Sequence, residues 1–237
     1  NDGLRFTAGS LLQQPSSIQG AHAAPNEVDF SAARAQVNYG GGSAADVINF
    51  ASANSINNFL HLGDGANVYH GVNASGNNYV QTGAGADFVQ LGRGDNTVKT
   101  GGGNDVIVIG GGASPIEPEA GIDTLRIGAV NLRKDAPTAI LNLETGEMID
   151  FGVAYTNASG KFAHAASPAN PTDFDSWLDA VTSSSHEGKL SWFIFDGNTY
   201  LVHDRSPQSG YVTGSDLIVK LIGRYDLGNT VLEQGGS

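Results

Sequence analysis

Between residues 82 and 108 the sequence TGAGADFVQLGRGDNTVKTGGGNDVIV sets down a glycine-rich turn every nine residues. Each turn ends on a short side chain that carries oxygen: Asp87, then Asn96, then Asp105. The glycines recur in step at Gly83, Gly92 and Gly101 and again at Gly85, Gly94 and Gly103. Carboxylate and amide oxygens next to turn carbonyls form a donor set for a hard divalent cation, because such ions take oxygen ligands. The alternation of charged and neutral side chains at one position needs its own explanation.

With that residue placed sixth, the nine-residue frame runs unbroken from residue 73 to residue 126, in units beginning at 73, 82, 91, 100, 109 and 118. Units at 53 and 62 precede it, offset by Gly71-Val72, and GGSAADVIN from Gly41 is offset in turn by Phe50-Ala51-Ser52. Position eight is apolar in every unit: Ile48, Leu60, Tyr69, Val80, Val89, Val98, Ile107, Ile116 and Leu125. A short strand with one inward apolar residue cannot bury it alone, so the units must stack.

This frame resembles the RTX nonapeptide G-G-x-G-x-D-x-U-x, whose family fold is a right-handed parallel β-roll that binds Ca²⁺. TGGGNDVIV departs from it only at Thr100, and TGAGADFVQ only at Thr82. The resemblance covers residues 41–126 and implies that two nonapeptides make one coil, so that units alternate between two edges. Asp87, Asp105 and Asp123 then stack on one edge, continued by Asn67 and Asp46, while the other edge reads Asn58, Asn78, Asn96 and Ser114.

Rungs of a sheet lie ~4.8 Å apart. Carboxylates stacked at that spacing repel by on the order of 1 to 4 kcal/mol per neighbouring pair, and a cation between rungs reverses the sign. The expected Ca²⁺ ligands are Asp46, Asp87, Asp105 and Asp123, joined by the carbonyls of turns built on Gly83, Gly85, Gly101, Gly103 and Gly121. Asn78 and Asn96 leave two arrangements open. Either their amides hydrogen-bond along the stack and only the Asp edge binds metal strongly, or they serve as neutral oxygen ligands and both edges bind.

The elements around the repeats follow from texture. Residues 1–40 read as a lead-in segment, residues 41–126 as the roll, and residues 127–237 as a β-rich region with one short helix; the fold class is all-β. TAILNLETGEMIDFGVAY alternates apolar and polar residues around Glu144-Thr145-Gly146 and reads as a hairpin. Thr172 and Asp175 form a capping box before Phe174, Trp177, Leu178 and Val181, which fall at helical spacing. Two strands joined at Asp196-Gly197-Asn198 and a last strand from Asp216 to Gly223 complete the chain.

That last segment resembles the C-terminal region of bacterial type I secreted RTX proteins, S-layer proteins among them. Gly197, Thr199, Tyr200 and Asp204 match one of its strands, and Asp216, Val219, Lys220, Leu221 and Gly223 match the other. The resemblance implies an uncleaved export signal, a type I secretion apparatus as partner, and an extracellular or cell-surface location. Self-assembly or contact with a surface polysaccharide is the expected surface role.

Composition excludes other classes. Acids outnumber Lys plus Arg by 24 to 12, giving a formal charge of −12, and such a surface repels nucleic acid and anionic lipid. There is no cysteine, hence no disulfide or thiolate site. No apolar run approaches the ~20 residues of a membrane helix, so no membrane insertion is expected. The chain starts at Asn1 without a charged-then-apolar leader, which is the pattern of a processed product or an excised fragment.

A catalytic constellation is not found. His186-Glu187 lacks the second histidine of a zinc protease helix, no G-x-S-x-G elbow occurs, and His61 and His70 fall on outward positions. A non-enzymatic, calcium-binding C-terminal module of a secreted surface protein is therefore expected. The alternatives are the export module of a larger secreted hydrolase and a polysaccharide-binding module.

Overall fold

A computed structural model describes residues 3–7, 14–50, 55–127, 133–152, 163–164, 173–182 and 187–227. Short strands follow one another along the chain: β1 (Arg5–Thr7), β2 (Ser16–Gln19), β3 (Glu27–Asp29), β4 (Val37–Gly42), β5 (Val47–Asn49), β6 (Phe59–Gly63), β7 (Val68–His70) and β8 (Tyr79–Thr82). They continue as β9 (Phe88–Gln90), β10 (Thr97–Lys99), β11 (Val106–Ile109), β12 (Pro115–Glu117), β13 (Thr124–Ile127), β14 (Thr138–Ile140) and β15 (Met148–Asp150). The odd-numbered strands form one parallel sheet and the even-numbered strands lie side by side in a second, so each coil crosses both sheets once.

The register repeats every two units. Ile107 pairs with Val89 and Leu125 in the odd sheet, and Val98 pairs with Val80 and Ile116 in the even sheet. All nine position-eight residues are buried between the sheets, because the middle residue of a three-residue strand points inward while its neighbours point out. A second inward column, Phe30, Phe50, Leu91, Ile109, Ile127 and Phe151, fills the core beside them. The repeat frame does not mark these as core residues.

The parallel stack extends beyond residues 41–126. Val28 pairs with Ile48 and Tyr39 with Leu60, so the segment expected to be a lead-in supplies rungs. Ile140 pairs with Ile116, and Ile149 with Leu125. These rungs keep the inward apolar residue without the glycine frame, since a coil needs glycine only where its turn does.

The expected hairpin around Glu144 is replaced by one further coil. β14 joins the even sheet and β15 the odd sheet, both in parallel. Alternation of apolar and polar residues is the same in a hairpin strand and in a rung, and here Ile140 and Ile149 are each buried from a different sheet.

The remaining chain packs onto the even sheet. β16 (Ala163–His164), α1 (Phe174–Val181), β17 (Leu190–Phe195), β18 (Asn198–His203) and β19 (Leu217–Leu221) follow in order. β18 pairs antiparallel with β17 on one side and with β19 on the other, and β19 then pairs in parallel with β14. The expected hairpin at Asp196-Gly197-Asn198 and the expected final strand are thus both present. α1 lies over one face, with Trp177 stacked on Phe193 at 5.6 Å and Phe174 against Tyr200 at 4.9 Å. Its N-cap is Asp173, whose carboxylate accepts from Ser176 N–H, rather than Thr172, which lies outside the described residues, as does His186.

Candidate metal centre

The turns that carry the chain from the even sheet to the odd sheet end on Asn67, Asp87, Asp105 and Asp123. They stack so closely that glycine is required. Gly103 has φ +128°, and a Cβ there would lie 1.9 Å from the Gly85 carbonyl oxygen. Backbone bonds link turn to turn: Gly65 N–H donates to Ala84 O, Gly85 N–H to Gly102 O and Gly103 N–H to Ala120 O, at 2.7 to 2.8 Å.

Along this edge each sixth-position side chain serves the rung before it. Asp46 N–H donates to Asn67 Oδ1, Asn67 N–H to Asp87 Oδ1, Asp87 N–H to Asp105 Oδ1 and Asp105 N–H to Asp123 Oδ1, at 2.7 to 2.9 Å. The two columns drawn from the repeat spacing are therefore in place, with every member buried. The second side-chain atom behaves differently from rung to rung. Asn67 Nδ2 donates to three carbonyls of its own turn, those of Gly63 (2.8 Å), Gly65 (2.9 Å) and Asp64 (3.3 Å). Asp87 Oδ2, Asp105 Oδ2 and Asp123 Oδ2 are buried with no donor at all.

Thr82 and Thr100, the two departures from the repeat consensus, sit beside the Asp87 and Asp105 carboxylates. Their hydroxyls nonetheless donate elsewhere, Thr82 to Thr100 O (2.6 Å) and Thr100 to Pro118 O (2.8 Å). Burial holds the Asp87 carboxyl well up, to about 6, and raises Asp105 and Asp123 as well. A buried carboxylate oxygen aimed where an amide would meet carbonyls is repelled unless a cation lies between.

The opposite edge has no such oxygen. Asn58 N–H donates to Asn78 Oδ1, Asn78 N–H to Asn96 Oδ1 and Asn96 N–H to Ser114 Oγ, at 3.0 to 3.1 Å. The amide nitrogens are satisfied within their own turns: Asn58 to Ile56 O, Asn78 to Gly76 O and Asn96 to Gly94 O, at 2.7 to 3.0 Å. Asp46 is also complete, with Asn26 on Oδ1 and the Tyr39 hydroxyl on Oδ2 at 2.9 Å.

Residues 72–107 match the family model of the RTX calcium-binding nonapeptide repeat, in four copies. These residues are RTX repeats. RTX repeats bind calcium ions, and the oxygens orphaned on the Asp edge fit that ion: hard, divalent and satisfied by carboxylates and carbonyls together. Among the described residues no three His, Asp or Glu side chains converge on one point, so an RTX site here would combine carboxylates with turn carbonyls. RTX repeats are typical of secreted proteins, and the repeats and their roll are structural rather than catalytic. No curated protein matches the chain. Among the described residues no helix is long and apolar enough to cross a membrane.

Two further placements bear on the site. His61 and His70 lie on opposite sheets, His61 against Gln81 at 3.1 Å and His70 against Phe88, so they share no ligand position. Glu147 was not among the expected site residues. It precedes β15 as Asp123 precedes β13, and Met148 N–H donates to Asp123 O at 2.8 Å, which puts Glu147 next in the Asp column. The signal for it in the sequence is the acid-x-apolar pattern Glu147-Met148-Ile149, the same as Asp105-Val106-Ile107.

Proposed function

We propose that the chain binds Ca²⁺ along the edge of Asp87, Asp105 and Asp123 and not along the edge of Asn58, Asn78 and Asn96, and that this binding drives folding of the roll. The observation that carries the reading is the set of donorless carboxylate oxygens on one edge, set against complete amides on the other. Of the residues expected to be ligands, Asp46 is left out because both its oxygens are already used, and Asn78 and Asn96 because their amides need no ion. The carbonyls of Gly83, Gly85, Gly101, Gly103 and Gly121 remain the proposed main-chain ligands.

The wider role is a non-catalytic, calcium-folded C-terminal module of a bacterial protein exported by a type I apparatus, with surface-layer or other surface assembly as its purpose. Support comes from the tail, where Thr199, Tyr200 and Asp204 lie on or just after β18, and Val219, Lys220 and Leu221 lie on β19. Low cytoplasmic calcium keeps such a chain unfolded and threadable, since an ion that binds only the native state adds about 2.7 kcal/mol per site when present at a hundred times its Kd.

Circular dichroism and calorimetric titration of the whole chain test the binding. Prolonged dialysis against EGTA should abolish or sharply weaken the thermal transition, and excess Ca²⁺ should restore it. An unchanged melting temperature in chelator sinks the reading. Export is tested by truncation after Asn198 in a host with a type I apparatus, and undiminished secretion would remove the tail from the argument.

A further inference from the structure

We propose that Asp123 and Glu147 form an additional Ca²⁺ site that closes the Asp column at its C-terminal end, outside the nonapeptide frame. This rests on the reading that the column binds calcium. Glu147 is fully buried, and neither of its carboxylate oxygens has a hydrogen-bond partner. Asp123 is also fully buried and has a donorless Oδ2 of its own, and the two carboxyls lie within hydrogen-bonding reach of each other. Two neighbouring buried carboxyls thus carry three orphaned oxygens.

Protein groups do not neutralise them. The ion pairs found among the described residues involve other carboxylates, including Arg126 with Asp150 and Arg133 with Asp95. Glu144 and Asp105 add further negative charge nearby. A single proton shared between the two carboxyls would satisfy only two of the three oxygens. A divalent cation answers all three at once, and Ca²⁺ takes two carboxylates readily, one of them bidentate.

The chain spacing explains why the acid lies outside the repeat. Asp123 follows Asp105 by 18 residues, whereas Glu147 follows Asp123 by 24, and the six extra residues fall between Leu125 and Ile140. Ile140 stands nine residues before Ile149, as Ile116 stands nine before Leu125, so the turn that ends on Glu147 has nonapeptide length. It bends through left-handed backbone at Asn142 (φ +54°) and Gly146 (φ +102°). Calcium at this point would fasten the final rung, β15, to the repeats.

Ion counting on the folded full-length chain tests the site. After exchange into excess Ca²⁺ and removal of free ion, elemental analysis should find one fewer calcium per chain in Glu147→Gln than in the wild type. An unchanged calcium count overturns the proposal. A wild-type chain that binds no calcium overturns instead the reading on which it rests. If Glu147→Gln does not fold, Glu147→Asp decides: it keeps the charge but shortens the reach, so calcium binding should weaken while the count at saturation stays, and unaltered affinity overturns the proposal.

Discussion

Asn67 and Asp87 hold the same place on successive rungs, and Asn67 N–H donates to Asp87 Oδ1 at 2.7 Å, yet the second atom of each side chain meets opposite conditions. The amide nitrogen of Asn67 has three carbonyl acceptors, while Asp87 Oδ2 has no donor. Amide and metal are thus interchangeable solutions to one cluster of turn carbonyls. Asn67→Asp should then add a calcium to the column, and Asp105→Asn should remove one or more while making the fold less dependent on the ion. Melting across a Ca²⁺ titration reads both. Equal calcium dependence of wild type and Asp105→Asn would mean that Asp105 is not a ligand. Alanine is a poorer probe, because Asp105→Ala also orphans the buried Asp87 N–H, at a cost of about 1 to 3 kcal/mol.

Without calcium, stability should fall as pH rises. Burial lifts the Asp87 and Asp204 carboxyls to about 6 each. Burial and mutual repulsion raise the Asp123 and Glu147 pair. An acid whose pKa is higher folded than unfolded binds more protons in the native state, so its contribution is present at low pH and lost as pH climbs through the folded value. His203, which burial holds down to about 4, acts in the opposite direction between there and about 6.5 and offsets one of these groups. Melting temperature in EGTA should therefore drop from about pH 5 to about pH 8, and saturating calcium should flatten the drop. A calcium-free protein that gains stability over that range would contradict the burial of these groups as charges.

The turn glycines should divide sharply by position. Gly103→Ala forces a side chain into φ +128° and against Gly85 O, and should cost at least about 1 to 3 kcal/mol. Gly102→Ala meets nothing nearer than 3.9 Å, and its counterparts one rung either way, Ala84 and Ala120, already carry the methyl. It should change stability by no more than about 0.5 kcal/mol. Urea unfolding in calcium measures both, and equal losses would refute the stacking of these turns.

A carboxylate outside the roll anchors the loop before β19. Asp216 is buried and accepts three backbone N–H bonds, from Arg205 (2.8 Å), Ser206 (2.9 Å) and Val212 (2.6 Å). Asp216→Ala should destabilise the C-terminal region by several kcal/mol, at about 1 to 3 per orphaned donor. Hydrogen exchange should show those three amides losing protection first. Unchanged protection at Val212 would count against the anchor.

What the sequence discloses here depends on whether a feature is periodic. The inward column from Ile48 to Leu125 and the Asp and Asn columns are legible because spacing alone fixes them. Val28 and Tyr39 form rungs without a glycine frame, so nothing periodic marks them as part of the stack. The segment from Thr138 to Asp150 alternates as a hairpin would, and only the choice of partner strand, a long-range matter, separates the two. Glu147 lies 24 residues after Asp123 and so falls out of an 18-residue repeat. The contrast between Asn67 and Asp87 is visible as a change of letter, but its meaning depends on where three carbonyls point.

The two columns also give the stack unequal springs. Both edges are fastened by N–H bonds to the next side-chain oxygen, but the Asp edge alone carries buried like charge that an ion must offset, and that ion can leave. Withdrawing that ion lengthens the charged edge while the amide edge keeps its spacing, so the roll should bow, convex toward Asp87, Asp105 and Asp123, before its rungs come apart. Spin labels along each edge, with their separations compared in calcium and in chelator, would register this as a stretch on one side only; equal stretching on both would rule it out.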